Sequence, residues 1–266
     1  MNNFTTRALT GALFVIIMIA SIIYGPLSMQ LLFLLISCGA LYEFYKLVEG
    51  EQVQPQYIAG IITGAVTFTF ISRLAVIPVD AMFIIYALAA FLFIAELYRK
   101  KKQPFNNIAF TVIGVIYIVV PFALLARMSF SGNEFSCVVP LGFFILLWCS
   151  DTFAYLAGMK FGKTRLFERI SPKKSWEGSI GGATASVIAA YILFKSMGYF
   201  QLHEWIILAL IIVVAGTFGD LVESMLKRSL DKKDSGSILP GHGGLLDRFD
   251  GLFIAVPFIC LYLILK

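Results

Sequence analysis

Charge is scarce in this sequence: Asp, Glu, Lys and Arg make up 14% of its 266 residues, against the ~25% typical of soluble domains. With 59% hydrophobic residues and a mean hydropathy of +0.86, a soluble core of this length could not hide the apolar surface. Cysteine and histidine are also thin. The four cysteines, Cys38, Cys137, Cys149 and Cys260, form no CxxC pair, and no histidine stands at metal-ligand spacing. Neither a zinc site nor a cysteine framework is expected, and the cysteines read as small buried hydrophobes. Internal repeats and low-complexity linkers are missing too, so the chain reads as a single domain over residues 1–266.

What is abundant is uninterrupted apolar sequence. Runs such as Ala8–Tyr24, Leu31–Tyr42 and Ile206–Phe218 reach or approach the ~20 residues needed to cross ~30 Å of hydrocarbon. Barrel strands would alternate lipid-facing and lumen-facing residues, and these runs do not. The expected fold class is therefore all-α integral membrane protein, a bundle of about nine transmembrane helices. Spans are expected near 8–24, 28–48, 57–77, 80–98, 107–127, 138–158, 178–197, 203–223 and 251–265, with the break around Pro78 the least sharply marked. The first run is long for a signal-peptide core and no A-x-A cleavage site follows, so it reads as the first span. Within the single domain, residues 1–135 form a span-rich helical half and 136–266 a half that carries the polar motifs.

The basic residues sort by face. Arg7, Lys46, the Arg99–Lys102 run, six residues in Lys160–Lys174 and five in Lys227–Arg248 fall on one side, whereas only Arg73, Arg127, Lys195 and Lys266 fall on the other, 17 against 4. The positive-inside rule then places the N-terminus and the loops 159–177 and 224–250 in the cytoplasm and the C-terminus outside, in the cell membrane. The Arg99–Lys102 run reads as an anchor to anionic headgroups.

Chemistry-bearing residues gather in those two loops. In Gly219–Arg228 a helix would bring Asp220, Glu223, Ser224 and Lys227 to one face, and an ionisable residue at membrane depth commonly faces a wet cavity or the bundle interior. The plainer alternative is a Glu223–Lys227 pair that finishes the helix. Next comes a loop with four glycines and a proline around His242, flanked by Lys232, Lys233 and Asp234. Its backbone can approach a ligand closely. Asp247 and Asp250 follow, one helical turn apart at the start of the last span, where a plain helix cap would account for one of them. Carboxylates ringed by Lys227, Arg228, Lys233 and Arg248 suit a nucleoside triphosphate, because Mg²⁺ takes one or two protein oxygens plus phosphate oxygens. The other loop offers Asp151 at the end of span six, and Ser171-Pro172-Lys173-Lys174 opening span seven as a phosphate seat at a helix N-terminus. Gly178, Gly181 and Gly182 read as close helix packing.

The stretch Ser224-x-Leu226-Lys227-Arg228, then Lys233-Asp234-x-Gly236, then Leu239-Pro240-x-His242-Gly243-Gly244-Leu245-x-Asp247-Arg248-Phe249-Asp250 resembles throughout the signature of the phosphatidate cytidylyltransferases, or CDP-diglyceride synthases. The Asp151–Tyr155 and Ser171–Gly178 segments are similar to that family as well. The likeness covers residues ~140–266 firmly and the first half through its span-rich character alone. It implies transfer of cytidylyl from CTP to phosphatidic acid, giving CDP-diacylglycerol and pyrophosphate. It also implies Mg²⁺ with a second, monovalent cation such as K⁺, and a homodimer among membrane lipids. No nucleic-acid partner is expected. By the same resemblance Asp220 and Asp247 would hold the metal, with Asp250 and Asp151 as further carboxylates. Lys227 and His242 would join Asp220 and Asp247 in catalysis, and Ser171, Lys173, Lys174, Ser224, Arg228, Lys233, Asp234 and Arg248 would bind substrate. Two rivals, a secondary transporter and a CDP-alcohol phosphotransferase, fit less well. The polarity sits at the cytoplasmic span ends rather than at the midplane, and no DG-x₂-AR opening is present.

Overall fold

The computed structural model describes residues 3–74, 82–232, 234–236 and 243–266, with side chains from Leu9 and Phe83 onward in the first two stretches. His242 and Lys233, expected in the site, lie outside the described residues, as does the break at Pro78. The described residues form nine helices: α1 (Asn3–Tyr24), α2 (Pro26–Val48), α3 (Tyr57–Ser72), α4 (Met82–Arg99), α5 (Pro104–Gly114) continuing through a π turn at Val115–Val119 into α6 (Val120–Arg127), α7 (Val138–Phe161), α8 (Trp176–Met197), α9 (Leu202–Ser229) and α10 (Leu246–Leu265). Among the described residues six stretches, fewer than the nine spans expected, are long and apolar enough to cross a membrane: α2, the α5–α6 rod, α7, α8, α9 and α10, with Leu9–Tyr24 and Tyr57–Ser72 as shorter apolar helices. The chain is an all-α membrane protein, as its hydropathy requires.

Contacts divide the molecule into two units, Met1–Phe130 with Asp234–Arg248, and Ser131–Lys233 with Phe249–Lys266. In the first unit α2 is the central helix, burying Phe33, Leu41, Phe44 and Tyr45. The Tyr45 hydroxyl donates to the Thr111 carbonyl oxygen. The 49–57 connection is fastened by a polar network. Buried Glu96 accepts from Gln56 and Asn107 and pairs with Arg99 at 2.7 Å, and Arg99 also donates to the Gln54 and Pro55 carbonyls. Arg99, part of the run expected to anchor headgroups, also has a structural role.

In the second unit small residues let the helices approach. A side chain at Gly182 would lie 2.7 Å from the Ser150 carbonyl oxygen, one at Gly178 2.8 Å from that of Ala154, and one at Gly181 would overlap Ala157 Cβ. The close-packing reading of these three glycines therefore holds, and they seat α8 on α7. The α9 helix has 28 residues, at ~1.5 Å each about 42 Å, longer than the ~30 Å hydrocarbon core. It has the length to carry its polar end, Asp220–Arg228, beyond the apolar stretch. A two-stranded hairpin, β3 (Arg165–Phe167) and β4 (Ser171–Ser175), joins α7 to α8. A further short pair, β1 (Phe130–Ser131) and β2 (Glu134–Phe135), lies between α6 and α7.

The hairpin corrects one expectation. Ser171-Pro172 does not open a helix: it begins β4, and α8 starts at Trp176 with Ser175 as its N-cap, the hydroxyl accepting from Gly178 N at 3.2 Å. Glu177, in the first turn, accepts the backbone N–H groups of Lys163 and Thr164. The cap of α8 is thus Ser175 rather than the Ser171-Pro172 pair.

Candidate active site

Within the second unit, four charged residues from four elements meet: Asp151 on α7, Lys174 on β4, Asp220 on α9 and Asp250 on α10. The Lys174 ammonium lies 2.7 Å from Asp220 Oδ2 and donates to the Thr217 carbonyl oxygen at 3.3 Å. Asp151 and Asp250 both interact electrostatically with Asp220 and with Lys174. Ser224, one turn beyond Asp220, donates its hydroxyl to Asp220 Oδ1 at 3.2 Å, and Asp250 Oδ1 accepts from Gly251 N at 2.7 Å.

Glycine explains the convergence of α9 and α10. A side chain at Gly219 would overlap the Asp250 carbonyl oxygen and lie 2.9 Å from the Gly251 Cα, and one at Gly216 would lie 3.9 Å from that Cα. Backbone touches backbone at the level of the two carboxylates. Successive residues of β4 are set differently, with Lys173 exposed, Lys174 half-buried against Asp220 and Ser175 buried as the cap.

Not every expected residue joins this cluster. Lys227 pairs with Glu223 at 3.1 Å, and the Glu223 side chain is only 1% exposed, so the helix-finishing pair is what the structure shows. Arg228 and Lys173 are exposed, and Ser171 is half-buried in β4.

Asp247 belongs to the first unit and has a separate setting. Its Oδ2 accepts three bonds, from the Ser235 hydroxyl at 2.8 Å, Gly244 N at 3.1 Å and Ser235 N at 3.3 Å. Ser235 and Gly244 thus both bond this carboxylate, while Asp234 and Arg248 are exposed. Glu43 of α2, absent from the expected set, accepts Leu246 N at 3.1 Å through Oε2 while buried to 2% exposure. The signal that could have found it was a carboxylate inside an apolar span. Thr217 and Ser235 were also missed.

Among the described residues no three His, Cys, Asp or Glu side chains converge closely enough to hold a metal ion by themselves. The donor chemistry nevertheless fits Mg²⁺ brought with a nucleotide. That ion needs one or two carboxylates with phosphate oxygens completing its shell, and Asp220 already draws an ammonium cation. The cluster thus combines carboxylates from three membrane helices with an ammonium from the β3–β4 hairpin.

A family model described as the cytidylyltransferase family matches residues 5–265. A relative named phosphatidate cytidylyltransferase from Bacillus subtilis (strain 168) is 30% identical over 97% of this chain and 97% of its own length. One of the same name from Staphylococcus saprophyticus is 31% identical over 97% of this chain and 98% of its own length. That of Staphylococcus aureus (strain COL) is 37% identical over 167 residues, 62% of each chain. The chain belongs to the cytidylyltransferase family.

Proposed function

We propose that the protein is a phosphatidate cytidylyltransferase, transferring cytidylyl from CTP to phosphatidic acid to give CDP-diacylglycerol and pyrophosphate. Family membership and relatives of that name over nearly the full chain support the reaction. The observation that carries the site is the Lys174–Asp220 pair beside Asp151 and Asp250.

A phosphatidate phosphate oxygen attacks the α-phosphorus of CTP in line. The new P–O bond forms as the bond to the β-phosphate bridging oxygen breaks, and pyrophosphate leaves with that electron pair. Phosphatidate is largely dianionic near neutral pH, so no general base is required, and positioning with charge neutralisation dominates. Mg²⁺, when bound, supplies neutralisation of the phosphate charge. Asp220 would hold it, with Asp151 and Asp250 nearby, and the signature motif assigns Asp247 the same role. A monovalent cation such as K⁺ is a second ion on this reading. Lys174, paired with the Asp220 carboxylate, would exchange it for a phosphate as CTP arrives. Exposed Lys173 and Arg228 meet phosphates from solvent. Ser224 fixes the Asp220 rotamer.

The loops 159–177 and 224–250 face the cytoplasm on this proposal, where CTP is available, and the enzyme works as a homodimer in the cell membrane. Phosphatidate arrives laterally, because each CH₂ of its chains would lose ~0.8 kcal/mol on leaving hydrocarbon. The test is to incubate purified protein with labelled CTP, phosphatidic acid and Mg²⁺ and look for a lipid-soluble cytidine nucleotide. Label that stays water-soluble would reject the reaction.

A further inference from the structure

We propose that Glu43, in the apolar second helix, is a positioning residue for Asp247, acting through the reach of its carboxylate rather than through its charge. The inference rests on the reading of Asp247 as a carboxylate that serves the reaction.

A buried charge on an apolar membrane helix is expensive and is retained where it has a function. What Glu43 does is visible in its surroundings. Its Oε2 accepts the N–H of Leu246, a residue 203 positions away and the first of α10, where backbone donors have no partner inside the helix. The same carboxylate fills the space beside two glycines. A side chain at Gly236 would overlap Glu43 Oε1 and lie 2.7 Å from Glu43 Cδ, and one at Gly244 would lie 2.7 Å from Glu43 Oε2. One turn earlier on α2, a side chain at Gly39 would lie 2.8 Å from Leu245 Cδ1. The Gly39 and Glu43 face of α2 is therefore the bed on which Gly236 and Gly244–Leu246 rest.

These segments are the ones that hold Asp247. Gly244 N donates to Asp247 Oδ2, and so do both the backbone and the hydroxyl of Ser235, the neighbour of Gly236. The path runs from Glu43 to Leu246 and Gly244, and from Gly244 and Ser235 to the Asp247 carboxylate. If Glu43 withdraws, the amides that orient Asp247 lose their support.

Reach and charge separate by substitution. Glu43→Gln keeps the length and a carbonyl acceptor while removing the charge; Glu43→Asp keeps the charge but is one C–C bond, ~1.5 Å, too short. The full-length, metal-free protein in detergent is measured by backbone hydrogen exchange over the peptide 243–249, and the enzyme by turnover and KM for CTP. Glu43→Gln should stay within about threefold of wild type in both, whereas Glu43→Asp should exchange and turn over about tenfold worse, as expected for one lost buried hydrogen bond. KM for CTP should move little. Wild-type exchange and turnover in Glu43→Asp, or Glu43→Gln as impaired as Glu43→Asp, would overturn the proposal. Asp247→Asn is assayed beside them. If it is inactive while the Glu43 variants behave as wild type, only the positioning inference fails; if it turns over normally, the role of Asp247 fails and takes the inference with it.

Discussion

Lys174 and Asp220 form an ion pair at 2.7 Å, joining strand β4 of the hairpin between α7 and α8 to the polar end of α9. On the proposed mechanism Asp220 is a metal ligand, and the ammonium is its counter-charge before the metal arrives. On that mechanism it would compete with the incoming cation and then pair with the phosphate that accompanies it.

That double duty gives opposite signs in one variant. In Lys174→Ala, KM for CTP should rise about tenfold, roughly 1.4 kcal/mol for one charge-assisted contact. The Mg²⁺ concentration for half-maximal rate should fall, since the competitor on Asp220 is gone. Titrations of CTP at fixed Mg²⁺, and of Mg²⁺ at fixed CTP, read the two effects separately. A rise in the Mg²⁺ requirement would show that Lys174 supports the cation site instead of competing with it.

The packing of α9 on α10 should be intolerant at Gly219. Its added Cβ would meet the Asp250 backbone, which cannot rotate away as a side chain could. Gly219→Ala should cost ~1–3 kcal/mol of stability and lower the temperature at which the detergent-solubilised protein loses its monodisperse elution peak. Gly50→Ala is the control, because nothing lies within 4 Å of its added Cβ, and it should elute as wild type after the same heating. Equal thermal behaviour of the two variants would refute the close-contact account.

Orientation is tested from outside the cell. On a background lacking Cys38, Cys137, Cys149 and Cys260, an impermeant thiol reagent applied to intact cells should label Asn133→Cys in the β1–β2 turn. It should spare Glu168→Cys in the β3–β4 hairpin, and both positions are exposed. Labelling of position 168 alone would invert the topology and put the carboxylate cluster on the wrong side for CTP.

The spans were legible because hydropathy is a local property: α2, α7, α8 and α9 each lie within a few residues of the apolar runs that announced them. The carboxylates on α9 and α10 were legible as a set because polar residues at the ends of apolar helices are rare. The β3–β4 hairpin was not. Ser171-Pro172 before an apolar run reads as a helix entry, and what delays the helix to Trp176 is the Ser175 cap, with Glu177 holding amides from thirteen and fourteen residues upstream. The Lys174–Asp220 pair and the Glu43–Leu246 bond were illegible for a related reason. Each joins residues far apart in the chain, and no pattern within either segment names the partner. The first half, read only as span-rich and helical, contains the buried carboxylates Glu43 and Glu96.

The central claim is that cytidylyl transfer runs on the carboxylates around Lys174, with Asp220 acting through negative charge. The most direct measurement is formation of lipid-soluble label from CTP and phosphatidic acid by Asp220→Asn beside wild type, across a range of Mg²⁺. Asn keeps the size of Asp220 and an acceptor for Ser224, so the protein should elute and melt as wild type. Its rate should fall about a hundredfold or more, ~2.7 kcal/mol or above in transition-state terms, with partial recovery at high Mg²⁺. Turnover of Asp220→Asn within threefold of wild type at ordinary Mg²⁺ would contradict the account and move the metal to other carboxylates.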